Sequence, residues 1–210
     1  MRTIDPLAHA RSRAKILDAA RHVFAGQGYH AASMNDVARK AGLAKAAVYH
    51  YFPGKHALLE ALHQDLWTEA ASRLASAPRP RSLRQALRYL GGEYLAHFQE
   101  KRHSEMMRIA FNVSVVEPEL LRLSSGTIMP RLEELMVGFV RPVFPKGSSP
   151  RRILLHLMPF IGALFHYLFV VQQTCGPDRL PAGPEEYLER LVEIFSTLPP
   201  DKKSSAKDPS

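Results

Sequence analysis

Cysteine is nearly missing from this chain: Cys175 stands alone among 210 residues. A lone thiol excludes an intramolecular disulfide and a cysteine-rich zinc site, and it suits a reducing cytoplasm. Strand-like alternation of useful length is also lacking, and nearly every apolar pattern repeats at helical spacing, so the expected fold is all-α. The N-terminal MRTIDPLAHARSRAK has no apolar h-region and reads as a short basic arm entering a helix, not as a secretory signal. No HExxH, phosphate loop, dinucleotide fingerprint or nucleophile elbow occurs. Ten histidines are present, but the nearest thing to a metal pair is His56 with His63, two turns apart on one helix. The expectation is a cytoplasmic binding protein, not an enzyme, with no cofactor and no metal.

One long apolar run is present. Ile153 to Val171, ILLHLMPFIGALFHYLFVV, is apolar around its whole circumference, with Arg151 and Arg152 before it. A membrane span has to be weighed, and a membrane-associated helical protein is the alternative reading of the chain, with an enzyme a more distant one. His156, His166 and the interior Pro159 argue against it, as do amphipathic helices elsewhere whose apolar stripes need a soluble partner. A helix buried in a bundle or a dimer interface accounts for the run, and no membrane partner is expected.

Charge is uneven. Residues 1–55 hold nine Lys or Arg against three Asp or Glu, and the remainder holds nineteen against seventeen. A basic excess concentrated in one segment suits neutralisation of phosphates, although a chance cluster of solvated charges gives the same count.

That segment also carries the most specific pattern in the chain. A first helix over about Leu7 to Ala25 places Ile16, Leu17, Ala20, Val23 and Phe24 on one stripe and is stopped by Gly26-Gln-Gly28. Ser33 caps a second helix, with Asp36 three residues on, close to a capping box. Gly42 supplies a left-handed turn position, and a third helix over about Ala44 to Tyr51 is too short to stand alone, so Val48 and Phe52 must anchor it. Two short helices crossing at a tight turn lay the second in a DNA major groove while the first braces it. Further helices are expected near Lys55 to Ser76, 82–101, 103–116, 118–141 with a break or kink at Pro130, 150–174 and 184–198. The tail 199–210 is polar and expected to be disordered.

In order, Ile16-Leu17-Asp18-Ala19-Ala20, Phe24, Gly28-Tyr29, Ser33, Asp36-Val37-Ala38, Ala41-Gly42-Leu43, Lys45, Val48-Tyr49-His50-Tyr51-Phe52, Lys55 and Leu58 resemble the tetracycline-repressor (TetR) family of bacterial transcription regulators. The resemblance covers about fifty residues of the N-terminal quarter. It implies a helix-turn-helix DNA-binding domain over 1–55 and a larger helical ligand-binding and dimerisation domain over 56–198. It makes Ala44 to Phe52 the recognition helix with its exit, and Ser33 a cap that also touches phosphate. Lys45 and Lys55 supply countercharge, Tyr49 and His50 reach phosphate or a base edge, and Ala46 and Ala47 offer only methyl contacts. Tyr49 and Lys55 remain open to a packing role. Ala44 stands where the family often has Ser or Thr, and His56 replaces a common acid.

The resemblance further implies a homodimer on double-stranded DNA, a repressor released from a near-palindromic operator by an effector. The dimer surface is expected on the apolar helix, at Leu164 and Leu168, and on the last helix, at Tyr187, Leu188, Leu191, Val192 and Phe195, although part of each stripe must pack within its own subunit. Met106, Met107, Phe111, Met129, Met136, Phe160 and Phe165 are candidates for an apolar pocket suited to a small lipophilic effector, with His97, Asn112 and His166 as polar members. Each is equally an ordinary core residue.

Overall fold

The computed structural model describes residues 5–126, 129–171 and 182–197, and among them there are helices and no strands. The chain is all-α, an N-terminal helix-turn-helix followed by a larger set of helices. In order these are α1 Pro6–Gln27, α2 Met34–Ala41, α3 Lys45–Tyr51, α4 Lys55–Ala75, α5 Leu83–Gln99, α6 Lys101–Val116, α7 Pro118–Ser125, α8 Met129–Val140, α9 Pro150–Phe165 and α10 Pro184–Phe195. A 3-10 turn, Arg141–Val143, follows α8, and a π-helical turn, His166–Val171, continues α9.

Contacts divide the chain into two compact units, one of residues 1–78 with 96–136 and one of residues 79–95 with 137–210. In the first, Ile16, Phe24, Val37, Val48, Leu58 and Leu59 form a core. Met106, Ile109 and Val113 of α6 and Leu120 of α7 belong to that same core, so the three-helix head is packed on α4, α6 and α7 and does not stand alone.

Caps explain where the head's helices begin and end. Asp5 accepts from the Leu7 amide to open α1, and Pro6 follows at the first helical position, where its missing N–H is no loss. Gly28, at φ +86°, closes that helix by donating its amide to the Phe24 carbonyl. Gly42, at φ +61°, closes α2, and the Leu43 amide then donates back to Ala38.

Two expected elements differ. The single helix over 118–141 is interrupted before Pro130, not at it: α7 ends at Ser125, and Pro130 falls in the first turn of α8, where proline is tolerated. The helix expected to run to residue 174 stays α-helical only to Phe165, with Pro159 inside it. Residues 172–174, Cys175 and the tail 199–210 lie outside the described residues. Among the described residues no helix is long and apolar enough to cross a membrane.

In the second unit α10 packs on α9, and α5 closes on both through Gly91. A Cβ there would overlap Leu188 Cδ1 and lie 3.1 Å from Phe160 Cζ, and both side chains are buried, with no room to retreat. Gly92, its neighbour, has nothing within 4 Å of the same position. Gly91→Ala is therefore expected to lower stability by about 1–3 kcal/mol through overpacking. Gly92→Ala should raise it by up to about 1 kcal/mol through helix propensity. Urea midpoints of the two variants check this, and a stabilising Gly91→Ala would show the α5–α10 approach to be looser than described.

Candidate nucleic-acid interface

A seven-residue helix has too few hydrogen bonds to persist unaided, and α3 has no side-chain cap at Ala44. Packing holds it. Val48 is fully buried and Phe52 nearly so, with the Arg13 guanidinium 5.7 Å from the Phe52 ring centre and His9 packed on Tyr51 at 4.6 Å. With that side committed, Ala44, Lys45, Ala46, Tyr49 and His50 are exposed and Ala47 is half-buried. Lys45 and Tyr49 are one turn apart, and the Lys45 ammonium sits 5.7 Å from the Tyr49 ring centre, which keeps a cation and a phenol side by side on the outer face.

The brace helix is fixed by a reciprocal cap. The Asp36 amide donates to Ser33 Oγ at 3.2 Å, and the Ser33 amide donates to Asp36 Oδ2 at 3.0 Å. Ser33 Oγ also donates to Asp36 at 2.5 Å, so the serine is engaged as a cap at both its polar groups. These Ser33 bonds, with Arg39 adding charge, hold the Asp36 carboxyl below its usual range. Arg39 and Lys40 are exposed in the last turn of α2.

Lys55 is placed differently from Lys45. Its ammonium donates to the Tyr29 carbonyl at 2.9 Å and the His30 carbonyl at 3.0 Å, and lies 5.0 Å from the Tyr29 ring centre. The first residue of α4 thus clamps the α1–α2 connector. On the other side of that connector, His30 Nδ1 lies 3.3 Å from Glu117 at the start of α7. Burial, with Glu117 nearby, raises the Tyr29 phenol above its ordinary value.

Sequence reasoning missed the Lys55 clamp, because its partners are 25 and 26 residues away and are backbone carbonyls. Lys15 was also missed. Its ammonium comes within 3.8 Å of the position a Gly42 Cβ would take, which brings a further cation to the α2–α3 turn. The only sequence signal for it was the basic count of the segment.

The expected pocket residues are divided between the two units. Met106 is buried in the core of the head, Met107, Met129 and Met136 are half-buried, and Phe111 and Asn112 are exposed. His97 packs against His103 with ring centres 3.4 Å apart. In the second unit Phe160 is fully buried, Phe165 is half-buried and His166 is exposed.

The expected dimer residues are taken up within the second unit. Leu164, Leu168, Leu188, Leu191 and Val192 are buried in the single chain. Tyr187 stacks on Tyr167 at 4.2 Å and Phe195 packs edge-on to Phe160 at 5.8 Å. The apolar side chains that α9 and α10 leave in solvent are Leu155, Met158 and Ile194, at 65%, 44% and 54% exposure.

The sequence profile of "Bacterial regulatory proteins, tetR family" matches residues 16–62. The HTH-type transcriptional regulator UidR of Escherichia coli K12 is 37% identical over 51 residues, 24% of this chain and 26% of that one. The match thus spans about a quarter of the length of such curated relatives. The uncharacterised HTH-type transcriptional regulator YvkB of Bacillus subtilis is 25% identical over 186 residues, 86% of this chain and 93% of that one. Among solved structures, the flavonoid-responsive regulator FrrA superposes with a TM-score of 0.62 at 26% identity, covering 89% of this chain and 95% of that one. FadR of Bacillus subtilis, solved with stearoyl-CoA, gives a TM-score of 0.68 at 16% identity over 88% of this chain and 97% of that one, a likeness of fold.

Proposed function

We propose that the chain is a bacterial regulatory protein of the TetR family and a homodimeric, ligand-responsive repressor that reads a near-palindromic operator through α3. The observation that carries the reading is the exposed face of α3, where Lys45, Tyr49 and His50 stand in solvent while Val48 fastens the helix from behind. Lys45 neutralises phosphate, Tyr49 and His50 reach phosphate or base edges, and the methyl groups of Ala46 and Ala47 permit close approach to thymine methyls. Lys55 acts first as a positioning residue and retains one N–H for phosphate; Ser33 acts through its cap.

One short helix buries too little surface for tight specific binding, so two copies are required. Their contact is placed on the solvent-facing apolar side of α9 and α10, at Leu155, Met158 and Ile194, with the buried stripes behind it supporting the helices. FrrA responds to flavonoids and FadR was solved with stearoyl-CoA, both lipophilic compounds. A small lipophilic effector of that kind releases the DNA by binding better to a conformation whose two α3 helices no longer match successive grooves.

Selection from random duplex DNA at near-physiological salt tests this directly. An enriched near-palindrome is expected. On that site Lys45→Ala should lower the slope of log affinity against log salt by about two, one phosphate per half-site. Tyr49→Ala should weaken binding with dimerisation unchanged. No enrichment from folded protein, or an affinity indifferent to salt, would sink the reading.

A further inference from the structure

Away from the DNA-reading face, the corner where α4 meets the α5–α6 junction holds an unusual set of groups. Glu69 and Arg73 come from α4, His97 from the last turn of α5, Glu100 from the junction, and Arg102 and His103 from the first turn of α6. His103 is fully buried, and its Nδ1 faces the Glu100 carboxylate without forming a well-aligned hydrogen bond; His97 Nε2, on the ring stacked against it, is buried and unmatched. A buried imidazole nitrogen left unmatched is costly unless something satisfies it. His103 Nδ1 lies 3.2 Å from Glu100 Oε2, and one atom each of Glu69, Glu100 and His103 fall within 4.8 Å of one another. Two ligands of one tetrahedral ion, each about 2.0 Å from it, stand about 3.3 Å apart.

We propose that this corner binds a divalent transition-metal ion of the Zn²⁺ class through His103, Glu100 and Glu69, with His97 beside them, and that Arg73 and Arg102 compete with the ion for the same carboxylates. Arg73 donates to Glu69 Oε1 at 2.7 Å and to Glu100 Oε1 at 3.2 Å. Arg102 pairs with the other oxygen of Glu69 and reaches His103 Nε2 at 3.4 Å. The two carboxylates are matched in charge by two guanidiniums or by one divalent ion, and both arginines are exposed enough to swing into water. While Arg102 donates to His103 Nε2, the ring proton stays on Nδ1. Once Arg102 leaves, the proton can sit on Nε2, which faces Glu69 Oε2 at 3.8 Å, and Nδ1 is free to ligate. Burial holds both imidazoles below their ordinary values, His97 at about 4. No metal was expected from the sequence, because Glu69 lies on another helix, far in sequence from His97, Glu100 and His103.

The untagged full-length chain titrated with Zn²⁺ by calorimetry, and with Co²⁺ by visible absorption, tests the site independently of DNA binding. One ion per chain is expected, with tetrahedral Co²⁺ bands. Glu100→Gln, at a half-exposed position, should weaken binding at least about tenfold, whereas Arg102→Ala should tighten it several-fold by removing the competitor. His56→Ala should change nothing. No saturable binding, equal binding by all variants, or weaker binding by Arg102→Ala overturns the proposal, and the Arg102→Ala result decides even if Glu100→Gln fails to fold.

Discussion

Replacing Arg21 by methionine should lower the stability of the chain by about 3–5 kcal/mol, the loss expected when a buried ion pair is broken from one side. Arg21 projects from α1 and is paired with Glu105 of α6, and their side chains are only 9% and 7% exposed. Asp18, one turn earlier, also binds Arg21 at 2.5 Å but is largely in solvent. With the guanidinium gone, Glu105 keeps its charge in a site cut off from water. Its other cation, Lys101, is 3.9 Å away and 82% exposed, too solvated to compensate. A fall in melting temperature on the order of 10 °C should follow. The double replacement Arg21→Met with Glu105→Met removes both charges and should recover most of the loss. A single variant costing under about 1 kcal/mol would mean that water reaches the pair in solution.

Mild acid should destabilise the fold in a window set by buried histidine. His63, on the buried face of α4 with Leu59, Leu62 and Leu66, is pushed down to about 4 by burial. Burial also lowers His97 to about 4, with His103 adding to the effect, and lowers His103 in turn. Because the folded-state values lie below the unfolded one, the unfolded chain takes up protons first as pH falls. The histidine contribution is complete above about pH 6.5 and is lost on the way down to about pH 4. For His63 alone this amounts to about 2 kcal/mol between pH 7 and pH 5 and about 3 kcal/mol in full. Glu69, held low by Arg73 and Arg102, acts in the same direction at lower pH. Urea midpoints at pH 7 and pH 5 measure the loss, and His63→Leu should flatten the profile. An unchanged profile in that variant would place the acid sensitivity elsewhere.

Local features of the head were legible because their partners lie within one helical turn. The Ser33–Asp36 cap, the left-handed Gly42 and the anchoring of α3 by Val48 all follow from spacing, since each is an interaction at three or four residues or a single backbone angle. What an apolar stripe cannot reveal is its partner. Met106 was expected on a pocket wall, but an apolar residue at that spacing fits the core of the head equally well, where it lies with Ile109 and Val113. Leu164, Leu188, Leu191 and Val192 fit a seam between copies and packing within one subunit equally well by spacing, and in the single chain they are buried while Leu155 and Met158 of α9 are in solvent. The Arg21–Glu105 pair joins residues tens of positions apart, and Glu69 meets the local Glu100–His103 pair from as far away, so spacing alone signals neither.

Lys55 gives α4 a fulcrum. By fastening the first residue of a 21-residue helix to the carbonyls of Tyr29 and His30, it makes the helix and the connector ahead of α2 a single lever with its pivot at the helix-turn-helix end. Arg73 lies eighteen residues along that lever, roughly 27 Å away at 1.5 Å per residue. A sideways step of about 2 Å at the Arg73 end corresponds to a rotation of about 4° at the pivot. Whatever exchanges partners with Glu69 and Arg73 works at the long arm, and the short arm carries the connector into α2 and, through Gly42, α3.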